Sequence, residues 1–183
     1  MQLLQRARSR RFAALILGLV VVPAFAGSAL ARGGPGANGN GADVAAVRQV
    51  TQKYHDVAAA IADGYIPFYK CTEQPGVGTM GMHYVKLSLV GDPAIDPLQP
   101  EALVYEPTRN GSLRLAAVEY VTLDTSSQPW VLGQPMLFRA AGNRYGLPDF
   151  YERHAWIWQA NPTGEFSDWN PDVTCLGTGD NGG

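Results

Sequence analysis

Two imidazoles and one carboxylate, His83, His154 and Glu119, fall inside stretches that otherwise read as β-strand. Residues 113–123 alternate with period two, and the odd positions are Leu113, Leu115, Ala117, Glu119, Val121 and Leu123. Five of those six are apolar, so that face points to a core and takes Glu119 with it. A buried carboxylate is costly unless it is paired, protonated or bound to a metal. Around His83, the residues His83, Val85 and Leu87 share one side and Lys86 takes the other. In the third stretch His154, Trp156 and Trp158 share a face, which Glu152 joins if the strand begins early. The opposite face carries Ala155 and Ile157, so both faces are covered and His154 is buried whichever way it points.

Two histidines and a carboxylate form a ligand set for zinc, iron(II) or copper that leaves positions open for water or substrate. Side chains from separate strands can converge inside a barrel. A metal there activates water or dioxygen, or acts as a Lewis acid. Glu119 has a second catalytic role open to it, as an unliganded general base with a raised pKa. The spacing is not a compact signature such as HExxH, so a metal-free reading stands beside it. In that reading Glu119 accepts hydrogen bonds from His83, Tyr84 or Tyr120 in a buried polar network, as an envelope structural protein would need. A further alternative is a non-catalytic small-ligand binding module, in which Trp156, Trp158 and Trp169 hold an apolar or sugar-like molecule.

Other candidates carry less. Glu106 lies on the parity opposite to Leu103 and Tyr105 and reads as a rim residue. Asp168, Trp169 and Asn170 fall in a loop, and Asn161-Pro162 and Asn170-Pro171 are turn formers. His55 lies off the apolar stripe of its helix and reads as a surface residue. The chain contains no GxSxG elbow, Walker loop, dinucleotide fingerprint or CxxCH haem motif.

Positioning these groups falls to a single domain of class α+β. An amphipathic helix of about twenty residues is expected after Asp43, with Val44, Val47, Val50, Tyr54, Val57, Ala58 and Ile61 at three- and four-residue steps and Gly64 as its stop. It should pack on a mainly antiparallel sheet that can curl into a barrel, with long rim loops. Strands are expected over Met82–Leu87, Ala102–Tyr105, Leu113–Leu123 and His154–Gln159, with Met136–Arg139 as a short fifth. Asn110-Gly111 forms a hairpin turn. Residues 65–77, 88–100, 124–135 and 140–150 read as irregular, as do most of 161–183.

The termini define the setting. Residues 1–31 read as a signal peptide: four arginines and no acid, a short apolar run from Phe12 to Val22, then Ala29-Leu30-Ala31 as a cleavage site. Ser9-Arg10-Arg11-Phe12 is an imperfect twin-arginine pattern, and the general secretory route stays open beside it. Residues 32–42 form a glycine-rich linker, 43–175 the globular domain and 176–183 a disordered tail. Removing the leader leaves ten basic against sixteen acidic residues, a net charge of −6, which argues against nucleic acid or an anionic membrane as partner. The partner expected is a metal ion or small molecule, in the periplasm or outside the cell. In an oxidising compartment the two cysteines, Cys71 and Cys175, should be bonded to each other.

Several strings carry a resemblance: ADGY (62–65), GMHYV (81–85), PEALVYEP (100–107), VEY (118–120) and HAWIWQANPTGEFSDWNPDVTC (154–175). Together they resemble an uncharacterised family of exported bacterial proteins. The resemblance implies one exported domain over about residues 43–175 and assigns no catalytic role to any residue.

Overall fold

The computed structural model describes residues 41–176, with side chains from Asp43 onward. The expected leader, most of the linker and residues 177–183 lie outside that span. The fold is α+β, with few helices and one antiparallel sheet curled into a half-barrel. No helix among the described residues is long and apolar enough to cross a membrane.

The helical segment runs in pieces: α1 over Gly41–Thr51, a 3-10 turn over Gln52–His55, and α2 over Val57–Ala62. The break falls at Asp56, whose backbone is extended and whose carboxylate accepts the Ala58 N–H at 2.9 Å, so α2 restarts with its own cap. Val44, Val47, Tyr54 and Ala60 are buried, whereas Val50 and Ile61 remain exposed. His55 is exposed, its ring edge against Trp158.

The main sheet has the order β1-β2-β3-β4-β8-β7, with β1 over Ile66–Gln74, β2 over Gly78–Val85, β3 over Ala102–Pro107, β4 over Leu113–Thr122, β7 over Leu137–Arg139 and β8 over Phe150–Ala155. A four-residue helix, α3 (Leu87–Val90), follows β2. A two-residue hairpin, β5 (Trp130–Val131) with β6 (Gln134–Pro135), forms a separate small sheet.

Three expectations are corrected. Residues 65–77 are not an irregular crossover: most of them form β1, an edge strand whose pairing with β2 is interrupted by register shifts. Edge position explains how it accommodates Pro67 and lacks clean alternation. The last long strand begins at Phe150 and ends at Ala155, so Trp156 to Gln159 lie beyond it. Finally, β4 does not keep one parity. Val104 pairs with Ala117 but Tyr105 pairs with Leu115, so Ala116 is an extra residue that flips the strand's faces.

That bulge sends the odd-numbered residues on its two sides to different cores. Leu115 joins Tyr54, Tyr65, Tyr84, Leu103, Tyr105, Val118 and Tyr120 in the larger cluster under the helical segment. Three of the tyrosine hydroxyls there are satisfied by backbone carbonyls: Tyr105 donates to Tyr54, Tyr65 to Pro100 and Tyr120 to Pro97, at 2.7–2.8 Å. Tyr120 is therefore on the far side of the sheet from Glu119 and cannot donate to it. The other face carries His83, Val85, Ala102, Val104, Ala117, Glu119, Val121, Glu152 and His154, as the register of β2, β3, β4 and β8 requires.

The irregular C-terminal segment is fastened to the sheet. Cys71 on β1 is bonded to Cys175, with the Cα atoms 5.7 Å apart. Thr79 on β2 exchanges both backbone hydrogen bonds with Asn170 at 3.0 Å. Glu106, expected at a rim, is buried, pairs with Arg114 and accepts the Thr174 N–H at 3.1 Å, so it belongs to this clasp.

Candidate metal centre

His83, Glu119 and His154 come from β2, β4 and β8. Glu119 and His154 are direct cross-strand partners, which puts their side chains side by side. His83 is three strands from His154, a separation of about 14 Å in a flat sheet. Its Nε2 nevertheless lies 3.2 Å from His154 Nε2, which requires the sheet to curl around this point. Ala102 and Val104 are the intervening residues of β3 on this face, and Ala102 offers only a methyl group beneath the meeting side chains. The curl is tight enough at β2 that Gly81 (φ +96°) has no room for a Cβ, which would come within 2.7 Å of Val104 Cγ1.

All three residues are buried, and one ligating atom from each lies within 4.8 Å of the others. His83 Nε2 is 3.4 Å from Glu119 Oε2, and His154 Nδ1 is 3.8 Å from Glu119 Oε1. This group can hold a metal ion. Zinc bonds of about 2.0–2.2 Å to nitrogen and oxygen require ligand atoms roughly 3–4 Å apart; His83 Nε2 meets that spacing to both His154 Nε2 and Glu119 Oε2, whereas His154 faces Glu119 with its other nitrogen.

Burial sets the protonation of the trio. It pushes the His83 imidazole down to about 3, with the neighbouring His154 adding to the effect. It pushes His154 down to about 4, where Asp168 works in the opposite direction. Both rings are therefore neutral near pH 7, the form that ligates metals. Glu119 is raised well above the ordinary carboxylate range, first by burial and then by Glu152 beside it. Without a cation, the His83–Glu119 contact is one between neutral groups rather than an ion pair. Among the described residues, His83 Nδ1, His154 Nδ1 and Asp168 Oδ1 are buried with no hydrogen-bond partner.

Three further residues complete the site. Glu152 shares the face of His154, as an early start to the strand required. Arg139, on β7, donates from Nε to Glu152 Oε1 at 2.6 Å and from Nη2 to Asp168 Oδ2. The guanidinium thus occupies the position between Glu152 and Asp168 that a second cation would need, although those two acids and His154 form a second group of closely spaced ligands. Arg139 was legible as the end of a short strand and Asp168 as a loop residue. The pairing of β7 with β8, which sets Leu137 against Glu152, brings Arg139 to the site, and Arg139 pairs there with Asp168.

A pocket with a cavity volume of about 50 Å³ opens onto His83, Glu119 and Glu152. On that measure a single water needs about 10–15 Å³. Its walls are chiefly apolar and include Phe68, Val85, Val121, Tyr145, Leu147 and Phe150. The Tyr145 hydroxyl is turned to Met80 Sδ at 3.4 Å, and burial raises its pKa. The tryptophans do not share this pocket. Trp156 stacks parallel to the His154 ring and donates to Ser167, Trp158 donates to Thr51, and Trp169 lies against Arg144.

Comparison with protein-family models, curated proteins and solved structures finds no match to this chain.

Proposed function

We propose that this is an exported metalloprotein in which His83, Glu119 and His154 hold one divalent transition metal, zinc, iron or copper, and that the metal acts on a small molecule. The convergence of three buried ligating groups from three strands carries the reading. Charge supports it independently. Glu119, Glu152 and Asp168 when ionised bring three negative charges against the two guanidiniums of Arg139 and Arg153, and a cation offsets the excess. Arg153 donates to the carbonyls of Pro135 and Phe166, which hold it in place beside these acids. The unpartnered imidazole nitrogens argue against a closed hydrogen-bond network as the purpose of the trio. Export is supported by the basic-apolar leader pattern and the Cys71–Cys175 bond.

At such a centre the metal supplies Lewis acidity or an activated water. His83 and His154 fix its position. Glu119 either ligates or, released from the metal, takes a proton from the bound water or substrate. The test is elemental analysis of tag-free protein purified from its native compartment, followed by titration of metal-free protein. One metal per chain is expected, lost in His83→Ala and His154→Ala and kept in His55→Ala. Glu119→Gln separates the two roles, since loss of metal marks a ligand and retained metal with lost turnover marks a base. Equal loading by wild type and both site-histidine variants would overturn the assignment.

A further inference from the structure

Resting on that metal site, we infer that its substrate or ligand is a small uncharged molecule with an apolar body and a single lone-pair donor head. The pocket reaches His83 and Glu119, while His154 is fully buried and does not line it. A ligand entering it meets Phe68, Val85, Val121, Leu147 and Phe150 along its body, and the His83–Glu119 edge of the centre at its end. The Tyr145 hydroxyl is engaged by Met80, which leaves the walls with almost no hydrogen-bonding capacity. A charged body would lose its hydration there without replacement.

The floor decides the head. An anionic head is brought against Glu119 and Glu152, both of which line the pocket. An ammonium head is brought against the metal and has no lone pair to offer it. The cavity volume of about 50 Å³ encloses only a few water-sized units, so a small ring or short chain seats its end there and extends into the open mouth.

The test uses two forms of the protein. Metal-free protein is examined by saturation-transfer NMR with toluene, acetate and propylammonium. Cobalt(II)-loaded protein is titrated with pyridine, acetate and propylammonium while the visible d–d bands are followed. Toluene should receive saturation from the metal-free protein, and pyridine alone should shift the cobalt bands. Leu147→Trp fills the pocket from its wall, and Leu87→Trp does so from an exposed position at its mouth where misfolding is not a concern. Each should weaken both probes by at least about tenfold. Stronger binding of acetate or propylammonium, or toluene binding unaffected by both tryptophans, overturns the inference. Pyridine that leaves the cobalt bands unmoved overturns the donor-head assignment. Failure of cobalt to load overturns the metal centre itself, and the toluene experiment then still decides the apolar pocket.

Discussion

Glu101 sits away from the metal ligands and offers a test of the electrostatics that burial imposes on this fold. It is 1% exposed, immediately before β3, and its Oε2 accepts the Val121 N–H at 3.1 Å where β3 no longer covers β4. Burial raises its pKa from an ordinary 4.5 to about 8, with Asp96 and Asp92 adding to the rise and the Val121 N–H opposing it. The folded protein therefore keeps this proton through neutrality while the unfolded chain releases it near 4.5. The stabilising contribution is complete below about pH 4.5 and is lost as pH rises through about 8. Each pH unit in that window is worth about 1.4 kcal/mol, and the whole on the order of 4–5 kcal/mol. Glu101→Gln keeps an oxygen acceptor for Val121 and cannot ionise. Urea unfolding of metal-free wild type and variant, followed by tryptophan fluorescence at several pH values between about 5 and 8.5, isolates the effect, because every other titrating group cancels in the difference. The variant should gain on the wild type by roughly 1.4 kcal/mol per pH unit through the middle of the window. Parallel stability curves would show that Glu101 ionises normally and would refute the reasoning.

Three more outcomes are expected. Reducing the Cys71–Cys175 bond frees a loop of 104 positions and should lower stability by roughly 4–5 kcal/mol in denaturant titrations, and an unchanged midpoint would remove its stabilising role. His83 and His154 hold folded pKa values near 3 and 4 against an ordinary 6.5, so their contribution is present above about pH 6.5 and lost as pH falls toward 4. Acid unfolding of metal-free protein should accordingly be blunted in a His83→Gln, His154→Gln double variant. Arg139→Met leaves Glu152 and Asp168 without their guanidinium and should cost about 3–5 kcal/mol in thermal or urea unfolding, whereas a loss below about 1 kcal/mol would mean the pairs are screened by solvent.

The site trio was legible because burial does not depend on getting every strand right. Period-two counting placed Glu119 with Leu113 and Leu115, but the Ala116 bulge turns Leu115 to the opposite core. Glu119 is buried all the same because β4 is covered on both faces from Leu115 to Thr122. His154 was read at the start of a strand and stands near the end of one, since Phe150 to Arg153 mix aromatic and charged residues in a way that resembles a loop. The β1 strand escaped notice for a related reason: an edge strand with bulges needs neither alternation nor freedom from proline. Arg139 and Asp168 carry no local signal at all, because their roles arise from ion pairs spanning 13 and 29 positions. The disulfide was readable because two cysteines admit one intramolecular pairing.

The clasp formed by Cys175 and Asn170 also has a consequence for the order of events during folding. His83 and His154 lie 71 positions apart, and Asp168 and Cys175 come later still. A chain emerging in sequence from its amino end therefore has His83 in place long before its partners arrive. Contacts this distant form slowly and together, after the loops between them have closed. On the proposed reading, a nascent segment holding His83 alone has a single weak ligand to offer, and an ion would load only once the finished half-barrel presents all three groups at once.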